Sequence, residues 1–132
     1  MPKANPEAAL AEFERLAAAA DVSTDTEAMD AEAYEEFAEL REVMTQAIVD
    51  GRLAVDSEGQ AVLSAPDGKE ITFRIPIGKD LMIMANARED RRVEALLRFL
   101  CSITGQSTAT IEMLPKRPFT LAIRLAGFLA AV

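Results

Sequence analysis

The feature that most constrains this chain is a change in its hydrophobic period. Up to about residue 50 apolar residues recur at helical spacing, between Arg52 and Ile75 they alternate every second residue, and after Pro76 the helical spacing returns. A chain patterned in this way is expected to be α+β: a three-stranded antiparallel β-meander packed against a C-terminal bundle of three to four helices, preceded by an acidic helical N-terminal arm. With 132 residues there is room for one domain of ordinary size and an appendage. The division expected is an arm of two helices over residues 1–50 and an α+β domain over residues 51–132.

Local signals fill in this outline. In "NPEAALAEFERLAAAA", Asn5 is placed to cap, Pro6 to occupy the first helical position and Glu7 to meet the helix dipole, and Leu10, Phe13, Leu16, Ala17 and Ala20 repeat at helical spacing. After the polar run "DVSTDT" a second helix is predicted from between Thr26 and Asp30 to Asp50, with an apolar stripe of Tyr34, Phe37, Leu40, Met44, Ala47 and Ile48 and Gly51 as its stop. "RLAV", "QAVLSA" and "EITFRI" read as strands separated by the turn sequences "DSEG" and "PDG". Ile71, Phe73 and Ile75 then share one face, with Thr72 and Arg74 on the other.

Beyond Pro76, a short helix is predicted from Lys79 to Ala87. A second, capped by Asp90, carries an apolar face of Val93, Leu96, Leu97, Leu100 and Cys101 and an exposed Glu94–Arg98 pair, and Gly105 ends it. A single turn from Ser107 or Thr108 leads to a last helix, "KRPFTLAIRLAGFLAAV", with Pro118 in its first turn. That helix is apolar nearly all round, which places it either at the centre of the core or against a partner.

Composition removes several classes of function. There is no histidine, so the commonest general base, the commonest zinc ligand and the Ser-His and Cys-His nucleophile pairs are all missing. The single cysteine, Cys101, lies in an apolar helical pattern and is expected to be a buried thiol. "DSEGQ" lacks the ligand series of a calcium loop, and Gly78-Lys79 lacks the spacing of a phosphate-binding loop. The carboxylates Glu32, Glu35, Glu36, Glu39 and Glu42 read as a solvated helix face. No enzymatic activity, metal or cofactor is expected.

The net charge of −8 is unevenly spread: residues 1–50 carry thirteen acids and three bases, residues 51–132 nine acids and eleven bases. Arg88, Arg91, Arg92, Arg98, Lys116 and Arg117 make the second part mildly basic, but without interleaved aromatics, and nucleic acid is not an expected partner. No run of about 18 apolar residues suggests a membrane span, and the N-terminus lacks the pattern of a signal peptide, so a cytoplasmic location is expected.

What is left is adaptable apolar surface. Leu81, Met82, Ile83 and Met84 are consecutive, and one face of a helix cannot bury all four. Methionine is unbranched and polarizable, suited to varied apolar partners. These residues are therefore either core filler or a patch for binding apolar and amphipathic segments.

The order of elements also resembles a known family. The strand ending "ITFRIPIGKDL", the helix "DRRVEALLRFLCSITG", the turn "STATIEML" and the final "LAGFL" are similar to the small tail assembly chaperones of Mu-like and related tailed phages. Arg74, Pro76, Asp80, Leu81, Thr104, Gly105, Ser107, Phe128 and Leu129 fall on that pattern, over roughly residues 69–130. The chain departs from it at Ile77, where Thr or Ser is usual, in the single acid of "TATIEM", and in its long acidic arm.

The resemblance implies a non-catalytic protein of the bacterial host cytoplasm, absent from the mature virion. It would bind apolar helical segments of the tape measure protein and keep them soluble while the tail tube assembles. The tail tube protein is a further candidate partner, and self-association is expected. Leu81, Met82 and Met84, with Phe119, Ile123 and Phe128 of the last helix, are the expected contact residues. The competing expectation is an acidic regulatory or inhibitory protein whose arm docks on a basic host factor or mimics nucleic acid.

Overall fold

The computed structural model describes residues 5–130 and has the α+β architecture expected. The elements are α1 (Pro6–Ala19), α2 (Ala31–Val49), β1 (Leu53–Val55), β2 (Ala61–Ser64), β3 (Glu70–Phe73), α3 (Gly78–Ala85), α4 (Arg92–Thr104), α5 (Thr108–Glu112) and α6 (Lys116–Ala130). The strands form one antiparallel sheet in the order β1-β2-β3. The chain divides into two compact units, Met1–Val62 and Leu63–Val132, and the dividing point lies within β2 rather than at residue 50.

In the first unit α1 and α2 pack on each other, and both touch β1. Asn5 caps α1 by accepting from Ala8 N–H at 2.7 Å, and Asp30 caps α2 by accepting from Ala33 N–H at 2.8 Å. A 3-10 turn, Thr26–Ala28, interrupts the linker. Both helices end in a Schellman arrangement: Arg52 N–H bonds to Ala47 O after α2, and Val22 N–H to Ala17 O after α1. Gly51 supplies the left-handed residue after α2, whereas Asp21 supplies it after α1, at φ 55°.

The core of this unit is Ala9, Phe13, Leu16, Ala17, Met44, Ala47, Ile48 and Leu53. The predicted stripe of α2 is buried only in its second half. Tyr34 is exposed and Phe37 half-buried, held by a tilted ring contact with Phe13 at 6.1 Å and by the Arg41 guanidinium 5.4 Å from its centroid.

The β1–β2 hairpin is fastened to α1. Asp56 Oδ1 accepts from the N–H groups of Glu58 and Gln60, which shapes the turn, and Gly59 sits at φ 82°. The Arg15 guanidinium donates to the carbonyls of Val55 and Asp56, both at 2.8 Å. A Cβ on Gly59 would lie 2.6 Å from Ala19 Cβ, so the turn and the helix meet at a point where only glycine fits.

In the second unit α4 is the hub, touching β3, α3, α5 and α6. Ile71 and Phe73 point into the core while Glu70 and Thr72 are exposed, as the alternation predicts. The core of α4 is Ala95, Phe99, Leu100 and Ile103. The predicted face of Val93, Leu97 and Cys101 is displaced, and Val93 is 83% exposed. Leu96 and Leu100 fit either stripe, and the larger Phe99 with Ile103 outweighs the isolated Val93 at the first turn.

Helix α4 starts after a 3-10 turn, Glu89–Arg91, with no side-chain cap from Asp90. The ion pair on its surface is Arg91–Glu94 at 3.0 Å rather than Glu94–Arg98. Gly105 ends α4 at φ 69°, and Ser107 caps α5 by accepting from Thr110 N–H. Helix α6 buries Leu121, Ala122, Leu125, Ala126, Phe128 and Leu129.

Candidate partner-binding groove

Helix α3 has an unusual inside. Its one fully buried residue is Asp80, at 0% exposure, while Leu81, Ile83 and Met84 are half-buried and Met82 is 53% exposed. The acid anchors the helix from within, beside the half-buried apolar side chains that pack towards α4. Arg74, just beyond β3, gives Asp80 two parallel hydrogen bonds of 2.7 and 2.8 Å. Ser102 of α4 donates to the same carboxylate at 2.5 Å, and Ile77 N–H, at the start of α3, donates at 2.8 Å.

This gives half of a capping box: Asp80 holds the Ile77 backbone, while Ile77 has no side-chain acceptor to return the bond. Arg74 completes the junction by donating to Ser102 O at 3.1 Å, and its own N–H bonds to Ile103 O at 2.9 Å. The pair therefore sets a carboxylate at the N-terminus of α3 and a guanidinium at the C-terminus of α4, each matched to the local helix dipole. The Arg74 bonds, with those from Ile77 and Ser102, hold the Asp80 carboxyl well below the usual carboxylate range against the opposing effect of burial.

With α3 pinned in this way, Met84 borders an open groove. Met84 of α3, Arg92, Val93 and Leu96 of α4, and Gly127 and Ala130 of α6 enclose about 330 Å³. Apart from Arg92 the walls are apolar or bare backbone. Phe119 and Ile123 are half-buried and precede Gly127 by eight and four residues, so they continue its side of α6. Phe128 is 6% exposed and belongs to the core, where it has no side chain to offer a partner.

The sequence therefore pointed to Met84 but not to the facing wall. Val93 and Leu96 read in the sequence as part of the apolar face of α4, and Gly127 carries no expectation there. A signal for Gly127 was present, since a glycine in a helix otherwise rich in Leu and Ala has a cost that wants a reason.

Two other depressions have more mixed linings. One of about 420 Å³ between α1 and α2 includes Leu10, Ala38 and Val49 beside Arg41 and Glu42. One of about 670 Å³ lies between the β2–β3 turn and α5, where the exposed Met113 faces a rim with Asp67, Lys69 and Glu70. Among the described residues, no group of His, Cys, Asp and Glu could hold a metal ion, and no helix is long and apolar enough to cross a membrane. Compared with known proteins, the chain matches no family model, no curated protein and no solved structure.

Proposed function

We propose that this protein is a non-catalytic tail assembly chaperone of a tailed bacteriophage or prophage. It acts in the host cytoplasm and covers apolar helical segments of the tape measure protein until the tail tube encloses them. The observation that carries this reading is α3, a helix fixed by a buried acid, with Met82 exposed and Leu81, Ile83 and Met84 only half-buried. Together with Met84, the groove walls from α4 and α6 supply continuous apolar surface of the kind that takes helical clients. Many weak contacts of this sort, repeated along a long client, would keep it soluble through effective-concentration gains. The excess acid of residues 1–50 would keep coated clients apart.

Co-expression with the tape measure protein tests the reading. The client should be soluble with the wild-type chain and insoluble without it, and a Met82→Ser, Met84→Ser double variant should lose part of the effect. A client that is equally soluble without this protein would refute it.

A further inference from the structure

Gly127 lies in the last described turn of α6, three residues before Ala130, is exposed, and has no positive φ to require a glycine. A Cβ built on it would meet nothing within 4 Å. Neither a close contact nor a backbone conformation in the described chain therefore requires a glycine at this position. It forms part of the wall of the groove lined by Met84, Val93, Leu96 and Ala130, where a missing side chain lets a second backbone come close. Arg92 is the one charged residue of the lining and has no ion-pair partner among the described residues. The acids nearest it in sequence, Glu89, Asp90 and Glu94, are exposed, and Glu94 is held by Arg91.

The geometry points to this groove as the seat of one amphipathic client helix, crossing α6 at Gly127 with an acidic residue beside its apolar stripe set against Arg92. This rests on the chaperone reading and names the client feature that the groove selects. Shape favours a helix with a small or flat face at the crossing, and charge favours Glu or Asp over Lys at the flank. The preference is notable because the chain as a whole is acidic at −8, so non-specific attraction would favour a basic peptide instead.

Two labelled amphipathic peptides of about fourteen residues, four helical turns, test it. They share a leucine stripe and differ only in Glu or Lys flanks, and are titrated by fluorescence anisotropy against the full chain at about 0.15 M ionic strength. The Glu peptide should bind about tenfold tighter, a margin that corresponds to about 1.4 kcal/mol. Arg92→Glu should abolish or reverse the preference, while Lys69→Glu, the same charge change on the β2–β3 turn, should leave it intact.

Gly127→Leu should weaken both peptides by about tenfold or more, with helicity and melting checked by circular dichroism. If Gly127→Leu fails to fold, Gly127→Ala, which has open space for its methyl, should fold and still weaken binding. Equal affinity for the two peptides, or affinity untouched by a folded Gly127 variant, overturns the proposal. So does a Gly127 variant that only dissociates an oligomer in sedimentation, since the groove would then hold a second copy. A chain that solubilises the tape measure protein without any flank preference refutes the seat and leaves the chaperone reading standing. The reverse result refutes the chaperone reading and leaves the seat.

Discussion

The Asp80 carboxylate takes both terminal nitrogens of the Arg74 guanidinium, at 2.7 and 2.8 Å, from a residue six positions earlier across the Pro76–Gly78 corner. Arg74 keeps about a third of its side chain in solvent while Asp80 keeps none. Loss of the acid is therefore worse than loss of the base. Without the acid, Ile77 N–H and the Ser102 hydroxyl lose a buried acceptor. Without the base, the remaining donors still hold the carboxylate.

Asp80→Asn should destabilise the protein by about 2–3 kcal/mol in urea unfolding, at the lower end for a broken buried pair because Arg74 can turn to water. The effect should depend on pH with a defined sign. Asp80 titrates below its unfolded value of about 3.9, so its contribution is complete above that pH and is lost as the pH falls towards the folded value. The gap in stability between wild type and Asp80→Asn should therefore be constant above about pH 5 and shrink below about pH 4. A gap that widens on acidification would contradict the assignment.

Two glycines should answer the same substitution in opposite ways. Gly59→Ala puts a methyl 2.6 Å from Ala19 Cβ at φ 82° and should cost about 2 kcal/mol. Gly127→Ala has open space and a helical backbone near the end of α6 and should gain about 0.5 kcal/mol. Thermal melts of the two variants beside wild type decide the point.

Asp21 is the one non-glycine residue with positive φ among the described residues, at the end of α1. Asp21→Gly should relieve the left-handed strain and raise stability by about 0.5–1 kcal/mol, less than for a bulkier residue because Asp tolerates this region. A loss of stability would mean that its side chain has a role beyond the turn.

Val93 and Phe128 should separate binding from folding. Val93→Ser, at a site 83% exposed, should change stability by less than about 0.5 kcal/mol yet weaken client or peptide binding. Phe128→Ala should cost about 3–4 kcal/mol as a cavity in the core. Denaturant unfolding and peptide titration on both variants provide the comparison.

The order of elements was legible because period, caps and turn residues act locally. Asn5, Asp30 and Ser107 cap helices in the structure, and the Asp56–Gly59 and Pro66–Gly68 turns join the three strands. The rotation of α4 was not legible, since Leu96 and Leu100 serve two overlapping stripes and only tertiary packing around Phe99 chooses between them. Nor was the packing of β1 on α1 and α2, because contacts between residues so far apart in sequence leave no local pattern. For the groove, Leu81 to Met84 stood out as too many apolar residues for one face, but the wall opposite depends on how α4 and α6 meet, which no local pattern encodes.

A helix held by polar geometry has a further consequence for how such a protein can change over generations. If α3 were fixed by its apolar side chains alone, every change on its outer face would have to be reconciled with the core. Since Asp80, Arg74 and Ser102 share the fastening, the exposed Met82 is free to exchange for another side chain. The outer face of α3 can drift while the architecture stays put.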